Sequence, residues 1–164
     1  MLEAIEPYSD EYQVLIAGAP NMPISYYQSF FKSYKPNVLT GVTYDIVSNA
    51  EAALVTSGTA TLETALLKTP EVVCYVGSKI SIAIAKRLIK INYISLVNLI
   101  MDRLVVTELI QDDCNATRIR KELKLILPGG QNRPRILSDY DQLQDKLGFE
   151  GVSKRIAQLL LKRN

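Results

Sequence analysis

The residues best suited to chemistry lie in one stretch, Val55-Thr56-Ser57-Gly58-Thr59-Ala60-Thr61-Leu62-Glu63, where an apolar run gives way to a helical pattern. Gly58 has no Cβ, so a ligand can approach the backbone there, and the first amides of a helix beginning at Thr59 have no internal acceptors. With the positive end of the helix dipole added, the junction suits an anion, above all a phosphate. Ser57 by itself reads equally as an ordinary helix cap. Glu63 adds a second chemistry. It shares a helix face with Thr59, lies too deep to complete a capping box, and carries a carboxylate able to accept hydrogen bonds from vicinal hydroxyls such as those of a ribose. A solvated surface carboxylate accounts for Glu63 as well as a ligand does.

Composition removes several alternatives. The chain has 164 residues, 48% of them hydrophobic, enough for one domain with a real core. Its 19 basic and 17 acidic residues nearly balance, so no field argues for nucleic acid. There is no His, which excludes Ser-His-Asp triads, Cys-His pairs and most zinc sites. Cys74 and Cys114 have neither metal nor redox spacing and read as reduced thiols of a cytoplasmic protein. No apolar run reaches the ~18 residues of a membrane span. No cofactor or metal is expected.

The elements that must position the junction follow from periodicity. Strands are expected at 13–18, 37–40, 52–55 and 71–76, and helices at 23–32, 44–49, 59–67 and about 79–90, with 1–12 reading as a helix tail and a polar turn. This alternation predicts an α/β fold with a Rossmann-like parallel sheet and right-handed crossovers. After a further strand at Tyr93-Ile94-Ser95-Leu96 the pattern reads as helical at 97–101, 105–111, 115–126, 132–147 and 152–162. Asn115 is the expected cap of one helix, and Pro128-Gly129-Gly130 its stop.

Several motifs together resemble one family. The run from Val55 to Leu66, Ala85-Lys86-Arg87-Leu88, Tyr93-Ile94-Ser95-Leu96-Val97-Asn98-Leu99-Ile100 and Glu108-Leu109-Ile110-Gln111-Asp112-Asp113-Cys114 are similar, in order and spacing, to lipid-A-disaccharide synthases. The similarity covers roughly positions 13 to 125. It implies a GT-B glycosyltransferase, which joins 2,3-diacylglucosamine from its UDP donor to 2,3-diacylglucosamine 1-phosphate in a β-1,6 linkage and releases UDP, a step of lipid A and lipopolysaccharide biosynthesis. The part present resembles the C-terminal, donor-nucleotide half. On that resemblance Ser57, Gly58 and Thr59 fall near the diphosphate, Glu63 at the ribose, and Asn98 and Arg103 on the family's Asn and Arg that follow the tyrosine-containing segment. An amide suits a sugar or uridine and a guanidinium suits phosphate oxygens, while a loop-capping Asn and a surface Arg are the ordinary readings. Leu104 stands where the family usually has an acid.

Residues 1–164 are therefore expected to form a single donor-nucleotide domain with a helical tail over 131–164. The N-terminal acceptor domain, with the family's catalytic base, is absent, as is the glycine-serine-arginine loop that usually follows the first strand. The catalytic residues are accordingly unassigned, and the chain alone is expected to be inactive. Two other readings fit the same residues: a free-standing nucleotide-binding or assembly module, and a domain like those of UDP-sugar epimerases, which Tyr93 to Asn98 and Glu108 to Cys114 disfavour. Expected partners are the UDP-sugar donor and lipid-linked substrates, not nucleic acid, and an oligomer is compatible with the sequence. On the helix expected at 79–90, Lys79, Lys86 and Lys90 form a stripe with Arg87 beside it, opposite Ile80, Ile84, Leu88 and Ile91. The stripe reads as a solvated outer face or as a contact with an anionic membrane, the inner face of the cytoplasmic membrane if the family resemblance holds.

Overall fold

The structure, a computed structural model, describes residues 1–56, 58–77 and 92–148. The chain opens on a short helix α1 (Leu2–Ile5) and a 3-10 turn at Glu6–Tyr8, then alternates β1 (Leu15–Gly18), α2 (Ile24–Gln28), β2 (Asn37–Thr40), α3 (Thr43–Ser48), β3 (Ala53–Thr56), α4 (Thr59–Leu66) and β4 (Glu71–Tyr75). Beyond residue 91 come α5 (Leu96–Met101), β5 (Thr107–Ile110), a 3-10 turn at Gln111–Asp113, α6 (Ala116–Ile126) and α7 (Arg133–Leu147). All pairings are parallel: β1 with β2, and β3-β4-β5 in that order, with Ala53 opposite Glu71 and Val72 opposite Thr107. The expected Rossmann-like α/β architecture of parallel strands and flanking helices is what forms.

β4 is central to the core. Glu71, Val72, Val73 and Cys74 are all buried, so alternate side chains on both faces are covered, which only helices on each side of a parallel sheet achieve. Helix α6 packs on β4 and β5, and α1 packs on α6, where the Tyr8 hydroxyl donates to the Arg120 carbonyl at 3.2 Å. Helix α4 packs on β3 and β4, with α5 and α7 against it. The buried residues Ile119, Leu123 and Ile126 of α6, and Ile136, Tyr140 and Leu143 of α7, recur at helical spacing. Asn115 caps α6 as expected, its Oδ1 accepting the Arg118 amide at 3.0 Å, and the chain leaves α6 through Pro128-Gly129-Gly130 with Gly129 at φ +78°.

Two expectations are corrected. Residues 105–111, read as helix, contain strand β5. Val105-Val106-Thr107 is β-branched throughout, and pairing with β4 decides the matter over a local pattern. Tyr93 to Leu96, read as strand, is a bend that ends in the cap of α5: Ser95 Oγ accepts the Asn98 amide at 3.3 Å. Ser57, the helix expected at 79–90 with its basic stripe, and the helix expected at 152–162 lie outside the described residues.

Candidate nucleotide site

The junction after β3 has the geometry that its residue types ask for. Gly58 sits at φ +145°, ψ −164°, a conformation open to glycine and strained for any L residue, and it precedes the first turn of α4. Gly58, the N-cap, has no side chain with which to cap this helix, and Thr59 and Ala60 are exposed. The hydroxyls that do contact backbone here face inward: Thr61 Oγ1 donates to the Gly58 carbonyl at 2.8 Å, and Thr64 Oγ1 to that of Ala60 at 2.8 Å. The turn is thereby fixed from within, and its exposed first residues stand at the helix end where amides lack intrahelical acceptors. A Cβ on Gly58 would meet nothing within 4 Å, so replacing this glycine strains the backbone without a clash.

Glu63, half-buried one turn further along, has a neighbour that no sequence pattern pointed to. Interaction of the Tyr44 hydroxyl on α3 with the Glu63 carboxylate, together with some burial, holds the phenol's pKa above its ordinary value. The Tyr44 ring is 60% exposed. A carboxylate and an open aromatic face therefore stand together beside the Gly58 turn.

Asn98 and Arg103 belong to a different arrangement. Asn98 is fully buried, and its carboxamide is saturated: Nδ2 donates to the Val106 carbonyl at 2.9 Å and to Glu108 Oε1 at 2.8 Å, while Oδ1 accepts the amides of Val105 at 2.8 Å and Val106 at 3.0 Å. Two donors and two lone pairs are all that an Asn has. Glu108 also accepts the amides of Ile94 and Ser95, at 2.9 to 3.1 Å, so one carboxylate ties β5 to the entry of α5. The Arg103 guanidinium donates to Asp139 at 2.7 Å and to Gln142 at 2.9 Å, and Asp139, 4% exposed, takes Arg135 as well at 3.0 Å. Asn98 thus offers no free polar atom to a substrate, and Arg103 is paired with α7. Asn98 ties α5 to β5, and Arg103 ties the turn after α5 to α7.

At the carboxyl ends of β4 and β5 a further clamp was missed by the sequence reading. Gln111 Nε2 donates to the Gly77 carbonyl at 2.9 Å, and its Oε1 accepts the Gly77 amide at 3.2 Å, a two-point bond that fixes the loop leaving β4. Glu108, set in an otherwise apolar strand, carried the one signal that could have revealed its network: a carboxylate there needs several donors.

The model of the family described as Lipid-A-disaccharide synthetase matches residues 22–162 of this chain. Among curated proteins, the lipid-A-disaccharide synthase of Syntrophus aciditrophicus is 44% identical over 124 residues, 76% of this chain and 32% of the relative. That of Synechocystis sp. is 36% identical over 121 residues, covering 73% of this chain and 31% of the relative. That of Myxococcus xanthus is 32% identical over 166 aligned positions, covering 98% and 43%. The chain therefore spans between about a third and under a half of the length of these relatives.

Proposed function

The chain belongs to the lipid-A-disaccharide synthetase family, and we propose that it is the donor-nucleotide half of such a glycosyltransferase, binding the UDP portion of UDP-2,3-diacylglucosamine. The observation that carries this reading is Gly58 at φ +145° before the exposed start of α4, at the carboxyl end of a parallel strand, with Glu63 one turn along the same helix. Ligands of open α/β sheets bind at that end of the strands. The amides of Thr59 and Ala60, with Ser57 and Gly58 in the preceding loop, receive the diphosphate, and Glu63 accepts the ribose hydroxyls. Asn98 and Arg103 act on the fold, through Glu108 and Asp139, and not on the nucleotide.

In glycosyl transfer, charge builds on the departing diphosphate as the acceptor hydroxyl loses its proton. The α4 amides and dipole supply the first requirement, stabilising the leaving UDP. The base belongs to the acceptor-binding portion of the family's enzymes, so the 164 residues act as one binding domain that does not turn over alone. Among the described residues no helix is long and apolar enough to cross a membrane. The reading places the protein in the cytoplasm, against the inner face of the cytoplasmic membrane where lipid-linked substrates are met.

Amide chemical-shift mapping with UDP tests this assignment. Shifts should concentrate at Gly58 to Glu63 and at Tyr44, and leave the Asn98 side-chain amide in place. Shifts centred on Asn98 and Arg103 with none at Gly58 would move the nucleotide elsewhere.

A further inference from the structure

Tyr44 lies in the first turn of α3, shortly after β2 ends at Thr40, and its ring is exposed. The connection that leads to it turns at Gly41, φ +78°, where a Cβ would meet nothing within 4 Å, and then passes Val42, which is also exposed. Open space and apolar surface therefore coincide just past the carboxyl end of β2, as the Gly58 turn lies just past that of β3. The other exposed aromatic side chains among the described residues, Tyr26 and Phe30, pack edge-on against each other with ring centroids 5.2 Å apart, whereas the Tyr44 ring has no aromatic neighbour there.

Two contacts fix α3 beside α4. Thr69, buried just beyond α4, donates its hydroxyl to the Val47 carbonyl in the last turn of α3 at 2.6 Å. In the first turn the Tyr44 hydroxyl interacts with Glu63. The tyrosine is thus engaged at its polar tip and carried on an anchored helix, so its ring presents a flat apolar face to solvent and loses little further freedom when something covers it. An ionised carboxylate has about four acceptor positions, so a phenol at Glu63 still leaves room for two vicinal hydroxyls.

We propose that Tyr44 is the residue on which the base of the bound nucleotide stacks, its ring against the pyrimidine while Glu63 takes the ribose hydroxyls and the Gly58 turn the diphosphate. The inference rests on the nucleotide reading of the α4 site and adds to it a place for the base. In a nucleotide the base is joined to the same sugar ring that carries the vicinal hydroxyls, so a ribose seated on Glu63 sets its base beside whatever borders Glu63, and Tyr44 is the exposed plane that does so. Stacking on an aromatic face tolerates any base, so Tyr44 discriminates a nucleotide from a bare diphosphate and leaves the choice of uracil to contacts at the edge of the base.

Titration of the parent chain, Tyr44→Phe and Tyr44→Leu with UDP and with inorganic diphosphate tests this, read by calorimetry and by NMR of the uracil H5 and H6 protons. Tyr44→Phe keeps the ring and should bind UDP within about threefold of the parent, with both protons moved upfield by the ring current. Tyr44→Leu should bind UDP about tenfold more weakly and lose the upfield shift. Affinity for inorganic diphosphate, followed at the Gly58 amide, should be the same in all three proteins. UDP affinity in Tyr44→Leu equal to that of the parent, or an equal fall for UDP and diphosphate, overturns the stacking role and leaves the nucleotide reading standing. Absence of UDP binding to the parent chain overturns both.

Discussion

Asn98 Nδ2 lies 2.8 Å from the Glu108 carboxylate, and through that bond two motifs ten residues apart become one structural unit. Replacing Asn98 with Asp removes both donors and sets a second carboxylate beside Glu108. The variant should lose about 3 kcal/mol or more in chemical denaturation, since buried groups are left unpaired. Asn98→Ser, which retains one donor and an acceptor, should lose less. Equal stability of Asn98→Asp and the parent chain would show that the network does not hold the loop.

Arg103 gives a sharper division between structure and substrate. Its ion pair with Asp139 is half open to solvent on the arginine side, so Arg103→Ala should cost only about 1 kcal/mol. UDP affinity should stay as it was. A fall in affinity without a fall in stability would return the guanidinium to the diphosphate.

The contact between Glu63 and Tyr44 makes two linked predictions. Glu63→Gln removes the charge-assisted acceptor and should weaken UDP binding by about 1.5 to 3 kcal/mol. The same substitution should lower the Tyr44 pKa towards its ordinary value, because interaction with Glu63 is the first cause of its elevation. Titrating the Tyr44 ring carbon by NMR in both proteins checks the contact without any ligand.

Glu71, at the start of β4, is buried with neither carboxylate oxygen hydrogen-bonded among the described residues, and desolvation raises its pKa well above the usual value. The folded chain therefore holds this proton after the unfolded chain has released it. Stability is greatest below about pH 4.5 as far as this group is concerned, and falls as pH rises towards the folded-state pKa, by up to about 1.4 kcal/mol per pH unit. Glu71→Gln should abolish that decline and be the more stable protein at pH 7. Parallel stability profiles for the two proteins between pH 5 and 7 would contradict the burial of a neutral acid.

What the sequence disclosed, and what it concealed, follows from the range of each interaction. The turn at Gly58 was legible because its constraint is local: only glycine takes φ +145° there, and a helix begins at the next residue. So were Asn115 as a cap and the glycine stop after α6. Strand β5 was read as helix because Glu108 breaks its apolar run, and what makes a carboxylate acceptable there is a set of donors, Ile94, Ser95 and Asn98, brought in by tertiary structure. Asn98 and Arg103 looked like ligand contacts for a related reason. Their type and place fit a substrate, while in the fold Asn98 is bonded to Val105, Val106 and Glu108 and Arg103 to Asp139 and Gln142, partners which no spacing rule connects to them. Tyr44 reaches Glu63 only once α3 and α4 fold beside each other.

The central claim is that this chain binds the nucleotide of a sugar donor. Calorimetric titration of the chain with UDP, and in parallel with CDP, ADP and GDP, tests it most directly. The account predicts saturable one-site binding that prefers UDP and weakens in Glu63→Gln. Absence of UDP binding to the folded chain, or equal affinity for all four diphosphates, would contradict it.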